Sequence, residues 1–133
     1  MRLQRKSPGP RATPFERWGG QPFFDALVEQ FYVGVVTDPL LRPMYPEDLT
    51  DSKRHFEMFL EQYWGGPKRY FEERGHPRLR MRHVPFRINR AARDAWLDAM
   101  ATALEREHGG LSEDQFNELH GYFDMAAHQM RNV

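Results

Sequence analysis

Apolar residues recur at steps of three and four positions along most of this chain, and this spacing limits its fold more than any other feature. Such spacing places apolar side chains on one face of an α-helix, whereas a half-buried strand would show strict alternation. No segment shows that alternation, so an all-α fold is expected. The pattern predicts four long helices: residues 22–36, a helix from about Thr50 or Asp51 to the stop at 65–67, residues 89–107, and a helix that opens at Ser112 with Gln115 as a capping-box partner.

Length and composition indicate one globular domain. The 133 residues, 40% of them hydrophobic, are enough for a single core that could also enclose a cofactor. Residues 1–14 hold four basic residues, three prolines and no acidic residue, so they are expected to form a disordered tail before a domain of residues 15–133. No run approaches the roughly 20 apolar residues of a membrane span, and no secretory apolar segment follows the first charges. A soluble, cytoplasmic protein is therefore expected.

Several classes of chemistry are excluded by what the sequence lacks. Without cysteine there are no disulfides, no thiolate catalysis and no cysteine-ligated zinc or iron–sulfur cluster. The spacings diagnostic of zinc hydrolases, EF-hands and nucleotide-phosphate loops are also absent. Histidine, carboxylate and tyrosine side chains remain as metal ligands.

An Arg-rich segment, residues 74–90, lies between the second and third predicted helices. It holds six Arg, two His and no acidic residue. Guanidinium groups pair with carboxylates, and a neutral histidine nitrogen binds transition metals. Heme needs both, because its iron takes an axial ligand and its two propionates need cationic partners. This composition favours a heme site.

The residues around this segment also carry a family likeness. The string Tyr63-Trp64-Gly65-Gly66-Pro67 is followed by Gly75-His76-Pro77-Arg78-Leu79-Arg80-Met81-Arg82-His83 and then by Trp96. These motifs closely resemble the truncated hemoglobins, specifically the second group of that family, and the likeness spans residues 15–132. It implies a shortened globin, with two helices packed across two others around heme b, that binds oxygen, carbon monoxide and nitric oxide.

His83 is the expected axial ligand and metal-binding residue. Pro85 ends any helix just after it, and Val84 and Phe86 could wall one face of a porphyrin. In the family the corresponding histidine binds heme iron on the proximal side, and the resemblance carries that role to His83. His76, which precedes Pro77, is the rival and is expected to have a structural role in the turn.

On the other face of the heme, the resemblance implies a ligand-binding pocket. An aromatic residue at helical spacing is usually core packing, but these positions match the family's distal pocket. The expected distal residues are Tyr32, Tyr45, Ser52, Phe56 and Trp96. Three departures from the family pattern concern this region: Ser52 stands where many globins have histidine, the connection before it is one residue shorter, and Phe56 is bulky for its position.

The heme edge is expected to contact His55, Arg82 and Phe86. His55 occupies a position where the family often has Arg or Lys. Above the pKa of His55 its contact with a propionate would weaken, and Arg82 would then contribute more of the pairing. This places the propionate pairing in the Arg-rich segment.

The leading interpretation is a heme protein that reversibly binds oxygen and other diatomic gases. The family implies nitric oxide dioxygenase or peroxidase-like redox chemistry, a reductase as partner, and a monomer or homodimer. The alternative is a helical module that binds anions or nucleic acid through residues 74–90, although 19 basic and 19 acidic residues give no net field toward nucleic acid. A cofactor-free interaction bundle is the third interpretation.

Overall fold

A computed structural model of the protein describes residues 12–133, except for the side chain of His108. Within these residues it has seven α-helices, two short 3-10 helices at Arg42–Met44 and His108–Gly110, and no strand. The α-helices are α1 Pro14–Arg17, α2 Gln21–Thr37, α3 Thr50–Tyr63, α4 Arg69–Arg74, α5 Leu79–His83, α6 Arg90–Arg106 and α7 Glu113–Met130.

The four long helices form a two-over-two arrangement around one core. Helix α2 packs against α3 and α6, and α6 also packs against α7. Each fully buried large apolar side chain in this core contributes about 1.5–3 kcal/mol relative to an exposed one. These side chains are Phe24, Leu27, Phe31, Leu60, Met100, Leu104 and Leu119. In the part of the chain that is described, none of the helices combines the length and apolar character needed to cross a bilayer.

The predicted long helices are confirmed to within one or two residues. Asn89 caps α6 by accepting a hydrogen bond from the Ala92 N–H at 2.9 Å. Ser112 and Gln115 form the predicted capping box, with bonds of 3.0 and 3.1 Å. The short helices α1, α4 and α5 were not predicted, because four to six residues are too few to show a period and such helices depend on tertiary packing.

The N-terminal end of the described chain is tied to the body of the fold. Residues 1–11 of the expected tail lie outside the described residues. Thr13 caps α1 and Pro14 is its first residue, where a missing N–H costs nothing. The Phe15 N–H donates to the Trp64 carbonyl oxygen at 2.9 Å, which joins α1 to the end of α3.

The Gly-Gly-Pro stop at the end of α3 also provides the surface on which α1 docks. Gly65 has a φ of +92°, a conformation that side chains with a Cβ rarely adopt. A Cβ on Gly66 would lie 2.7 Å from the Phe15 ring and 2.9 Å from the Glu61 carbonyl oxygen. The two glycines are therefore required by close contact as well as by the turn.

Gly66→Ala is expected to destabilise the fold by about 1–3 kcal/mol, the usual cost of forcing an extra methyl group into a packed site. Gly121→Ala is the matched control, because Gly121 lies within α7 and nothing lies within 4 Å of its added Cβ. That control should be neutral or gain up to about 1 kcal/mol. Urea unfolding of both variants measures the difference, and equal midpoints would contradict the close contact.

A cluster of carboxyl groups lies between α2, α3 and α4. Glu61 is fully buried, and its Oε2 accepts a bond from Arg69 at 2.6 Å. The Glu61 Oε1 and Asp25 Oδ1 atoms are buried and have no hydrogen-bond partner among the described residues. Burial, and next a hydrogen bond with Asp25, raise the pKa of Glu57 to about 8. Near neutral pH, Glu57 therefore keeps its proton and donates it to Asp25.

This raised pKa predicts that stability falls as pH rises. The folded state binds the Glu57 proton more tightly than the unfolded state, so this contribution is fully present below the ordinary pKa of 4.5 and is lost as pH approaches about 8. Thermal melts across this interval should show a falling Tm. Glu57→Gln, whose amide can still donate to Asp25, should flatten part of that slope, whereas Glu29→Gln at an exposed carboxylate should not. Equal slopes in the two variants would refute the assignment.

Candidate functional site

A cavity of about 380 Å³ lies among the long helices and is closed on one side by α5. Its walls include side chains from α2, α3, α5, α6 and α7, so its shape depends on the whole fold. Nine residues that the sequence indicated for the site line this cavity: Tyr32, Tyr45, Ser52, His55, Phe56, Arg82, His83, Phe86 and Trp96. The expectation that Val84 would wall one face of a porphyrin is wrong, because Val84 is exposed and does not line the cavity. The rival His76 does not line it, and its ring packs against Phe71 at 5.1 Å between centroids.

The last residue of α5, His83, has one ring nitrogen fixed by the backbone. Its Nδ1 lies 2.5 Å from the Leu79 carbonyl oxygen. A carbonyl can only accept, so Nδ1 carries the hydrogen and Nε2 of the neutral ring keeps its lone pair. This is the tautomer that a histidine ligand to a metal requires, and the bond to Leu79 also fixes the ring's orientation.

Asn132 holds the turn that follows His83. Its side-chain amide donates to the Phe86 carbonyl oxygen at 2.9 Å and to the His83 carbonyl oxygen at 3.3 Å. Its Oδ1 accepts from the Ile88 N–H at 2.9 Å. No sequence signal indicated this role, because 44 to 49 residues separate Asn132 from its partners. A residue beyond α7 thus positions the segment that carries His83.

Three arginines line the cavity: Arg74, Arg82 and Arg93. Arg93 pairs with Asp94 at 3.0 Å, and Arg74 was not predicted for this site. Arg74 donates to Nδ1 of His55; because guanidinium has no acceptor, His55 must be the acceptor and is neutral in this contact. Burial, and then the charge of Arg74, lower the pKa of His55. The sequence indicated His55 for the heme edge and Arg74 only as a member of the Arg-rich segment, whereas the structure joins them, with Arg74 as the cation.

Arg82 also lines the cavity, and its hydrogen bonds stabilise the turn between α4 and α5. Its Nε donates to the Pro77 carbonyl oxygen at 2.7 Å, and its Nη2 donates to the Arg74 carbonyl oxygen at 3.1 Å. The guanidinium groups of Arg82 and Arg74 both lie 5.8 Å from the ring centroid of Tyr70. The positive charges of Arg74 and Arg82 therefore lie close together, beside the ring of Tyr70.

Three polar aromatic side chains converge in another part of the cavity. The indole N–H of Trp96 donates to the phenol oxygen of Tyr45, and the Tyr32 and Tyr45 rings meet edge to face at 5.5 Å. Burial raises the pKa of Tyr45 to about 12, opposed by the bond from Trp96, and burial also raises the pKa of Tyr32. Both phenols therefore keep their protons at ordinary pH and can donate them. Phe31 and Phe56 pack on Trp96 at 5.2 and 6.3 Å.

The remaining lining is mainly apolar and includes residues predicted only as core. Helical periodicity does not distinguish a stripe that faces core from one that faces a cavity, so the sequence carried no signal for this difference. The lining residues contributed by α7 are Tyr122, Phe123, Ala126, Ala127 and Met130.

This donor set fits a planar apolar group that contains a metal and has an anionic edge. His83 offers one free ring nitrogen, apolar walls surround it, and Arg74 and Arg82 offer positive charge. No cluster of three or more His, Cys, Asp or Glu side chains within residues 12–133 could hold a bare metal ion. A metal bound here must therefore bring most of its own ligands, as heme iron does.

Comparison with known proteins agrees with this geometry. Residues 13–132 match the family described as bacterial-like globin. The group 2 truncated hemoglobin YjbI of Bacillus subtilis is 43% identical over 120 residues, which cover 90% of this chain and 89% of that protein. The structure of a thermostable hemoglobin from Thermobifida fusca matches with a TM-score of 0.89 and 46% identity over 92% of this chain and 98% of the other. The structure of a truncated oxygen-avid haemoglobin from Bacillus subtilis matches with a TM-score of 0.83 and 42% identity over 91% of this chain and 100% of the other.

Proposed function

The chain belongs to the bacterial-like globin family, and from this membership we propose that it holds heme b in the cavity, with His83 as axial ligand, and binds oxygen there. Heme supplies an iron atom with an open position for a diatomic gas. The observation that carries the proposal is the hydrogen bond from His83 Nδ1 to Leu79, because it leaves Nε2 free toward an apolar cavity. Carbon monoxide and nitric oxide are the other expected ligands.

The propionates of heme are best matched by the Arg74 and Arg82 guanidinium groups. Arg74 carries a permanent charge, and its contact with neutral His55 keeps the pair positive across ordinary pH. This differs from the expectation that His55 would make the contact while charged, with Arg82 becoming more important above the pKa of His55. Phe86 and the apolar residues of α7 would pack against the ring faces.

Loss of one such cation should weaken heme retention modestly. The contact is partly exposed, so Arg74→Ala is expected to cost about 0.2–1 kcal/mol, seen as roughly 1.4- to fivefold faster heme transfer to apomyoglobin. Arg106→Ala is the matched control, because Arg106 bonds to Gln30 and does not line the cavity. Equal transfer rates for Arg74→Ala and the unaltered protein would contradict a role for Arg74.

The hydrogen-bond donors in the cavity favour retention of oxygen over its delivery. Trp96, Tyr45 and Tyr32 offer one N–H and two O–H groups, and bound oxygen carries partial negative charge. Such donors slow oxygen release, which suits oxygen as a reactant in nitric oxide dioxygenation or peroxidase-like chemistry. The similarity to the oxygen-avid haemoglobin of Bacillus subtilis supports this direction. A reductase partner, a cytoplasmic location and a monomer or homodimer belong to the same proposal.

An absorption spectrum of the purified protein tests the proposal directly. A Soret band that shifts on reduction with dithionite, and shifts again with carbon monoxide, is expected. A colourless protein that does not take up added hemin would refute it. Salt-dependent retention on heparin by such a protein would instead favour the anion-binding module of residues 74–90.

A further inference from the structure

Two tyrosines connect the cavity with the protein surface. Tyr122 of α7 lines the cavity, and its ring lies 4.1 Å from the Tyr63 ring, centroid to centroid, with 34° between the planes. Tyr63, the last residue of α3, is 49% exposed and does not line the cavity. The two rings are in contact, so an electron can pass between them without an intervening gap.

Tyr63 differs from the other tyrosines in its exposure. All five tyrosines of the chain lie within the described residues, and Tyr63 alone is exposed. Tyr32 and Tyr70 are buried, and Tyr45 and Tyr122 are partly buried. An oxidised phenol must release its proton, and at Tyr63 that proton can pass directly to water.

The tryptophan beside these tyrosines is a poorer place for an oxidised ring. Trp64 lies 5.4 Å from Tyr122 and 5.0 Å from Tyr63. It is buried, and its indole N–H has no acceptor among the described residues. Burial also raises the pKa of the Tyr122 phenol, which opposes loss of its proton. An oxidising equivalent that leaves the cavity through Tyr122 therefore comes to rest on Tyr63.

We propose that Tyr122 and Tyr63 form an electron-transfer route from the surface to peroxide reduced in the cavity, and that Tyr63 is an oxidation site for small phenolic donors. This proposal rests on the proposed function, because heme held in the cavity would supply the chemistry that reduces peroxide. Hydrogen peroxide takes up two electrons and two protons to give two waters. Each electron leaves Tyr63 through Tyr122, and each Tyr63 phenol releases one proton to water.

The oxidised Tyr63 then has two outcomes. A phenolic donor returns one electron and one proton to it, which restores the tyrosine and leaves a donor radical. Without an added donor, the Tyr63 of a second copy returns that electron and proton. The restored Tyr63 then gives up the second electron, and the Tyr63 radicals of the two copies couple through a new carbon–carbon bond between their rings, with the displaced ring hydrogens moving to the phenol oxygens. The sum is one peroxide and two tyrosines giving one dityrosine and two waters.

The test uses the full chain loaded with hemin, with loading verified first by the Soret band. After peroxide is added, dityrosine fluorescence, covalent dimer on a denaturing gel, and the tyrosyl signal in freeze-quenched electron paramagnetic resonance are measured. The unaltered protein should give a dimer that added phenol suppresses. Tyr63→Phe should lose the dimer while it keeps the Soret band, and Tyr122→Phe should lose most of the dimer when compared with the unaltered protein at equal heme content. A full yield of dimer from either variant would overturn the route.

A matched control distinguishes electron transfer through Tyr122 from the coupling of any exposed tyrosine. Phe71 is 46% exposed, close to the 49% of Tyr63, and its ring packs on His76. The double variant Tyr63→Phe with Phe71→Tyr therefore keeps an exposed tyrosine but moves it away from Tyr122. This variant should remain monomeric after peroxide is added. A dimer yield equal to that of the unaltered protein would show that exposure of a tyrosine is sufficient for dimer formation and would overturn the route. A chain that fails to take up hemin refutes the proposed function itself, which the Soret band reports before peroxide is added.

Discussion

His83→Ala is expected to lose most of its bound heme and the stability that heme gives. The variant removes the imidazole ring, whose Nε2 is left free because Nδ1 is bonded to the Leu79 carbonyl oxygen. A ligand that binds only the folded state stabilises it by about 3–4 kcal/mol when present at 100 to 1,000 times its Kd. The holoprotein should therefore lose stability on this scale, while the heme-free variant should unfold close to the heme-free parent. Thermal melts with and without hemin measure the two effects.

The control for this prediction is His76→Ala. His76 lies seven positions earlier in the same Arg-rich segment, but it packs on Phe71 and does not line the cavity. Its loss should leave the Soret band unchanged. Added imidazole should partly restore the spectrum of His83→Ala. If His83→Ala kept its Soret band and His76→Ala lost it, the ligand would be the wrong histidine.

Trp96→Phe is expected to speed oxygen dissociation by roughly five- to a hundredfold. A buried hydrogen bond to a group with partial charge is worth about 1–3 kcal/mol, and each 1.4 kcal/mol corresponds to a factor of ten. Carbon monoxide carries less negative charge when bound, so its dissociation should change less. Stopped-flow measurements with both gases test this difference, and equal acceleration of both would indicate a steric effect of the indole ring instead.

The structure also sharpens how Trp96 acts. Its single N–H donates to Tyr45, so it could act on oxygen directly or by orienting the Tyr45 phenol. A double-mutant cycle with Tyr45→Phe distinguishes the two. If Trp96 acts through Tyr45, Trp96→Phe should have little effect once Tyr45 is phenylalanine. If the full acceleration persists in that background, the indole donates to oxygen itself.

The sequence predicted the long helices, and it singled out residues that share one cavity, because both leave local or familiar signals. Helix α7 is predicted by the capping pair Ser112 and Gln115 and by a stripe of apolar residues. The candidate site is predicted by the motif around His83, which carries the family likeness. The contact between His55 and Arg74 left no such signal, because it joins residues 19 positions apart on two helices. Helices α4 and α5 were missed because tertiary contacts, more than local propensity, hold such short segments.

The reach of Asn132 back to the His83 turn also sets an order of events during synthesis. On the ribosome His83 appears 49 residues before the amide that fixes its carbonyl, and Ile88 appears 44 residues before. Until residue 132 has emerged, the segment that carries His83 lacks three of its hydrogen bonds. A nascent chain can therefore form α2 and α3 early, but the cavity wall around His83 is held in place only after α7 has been made.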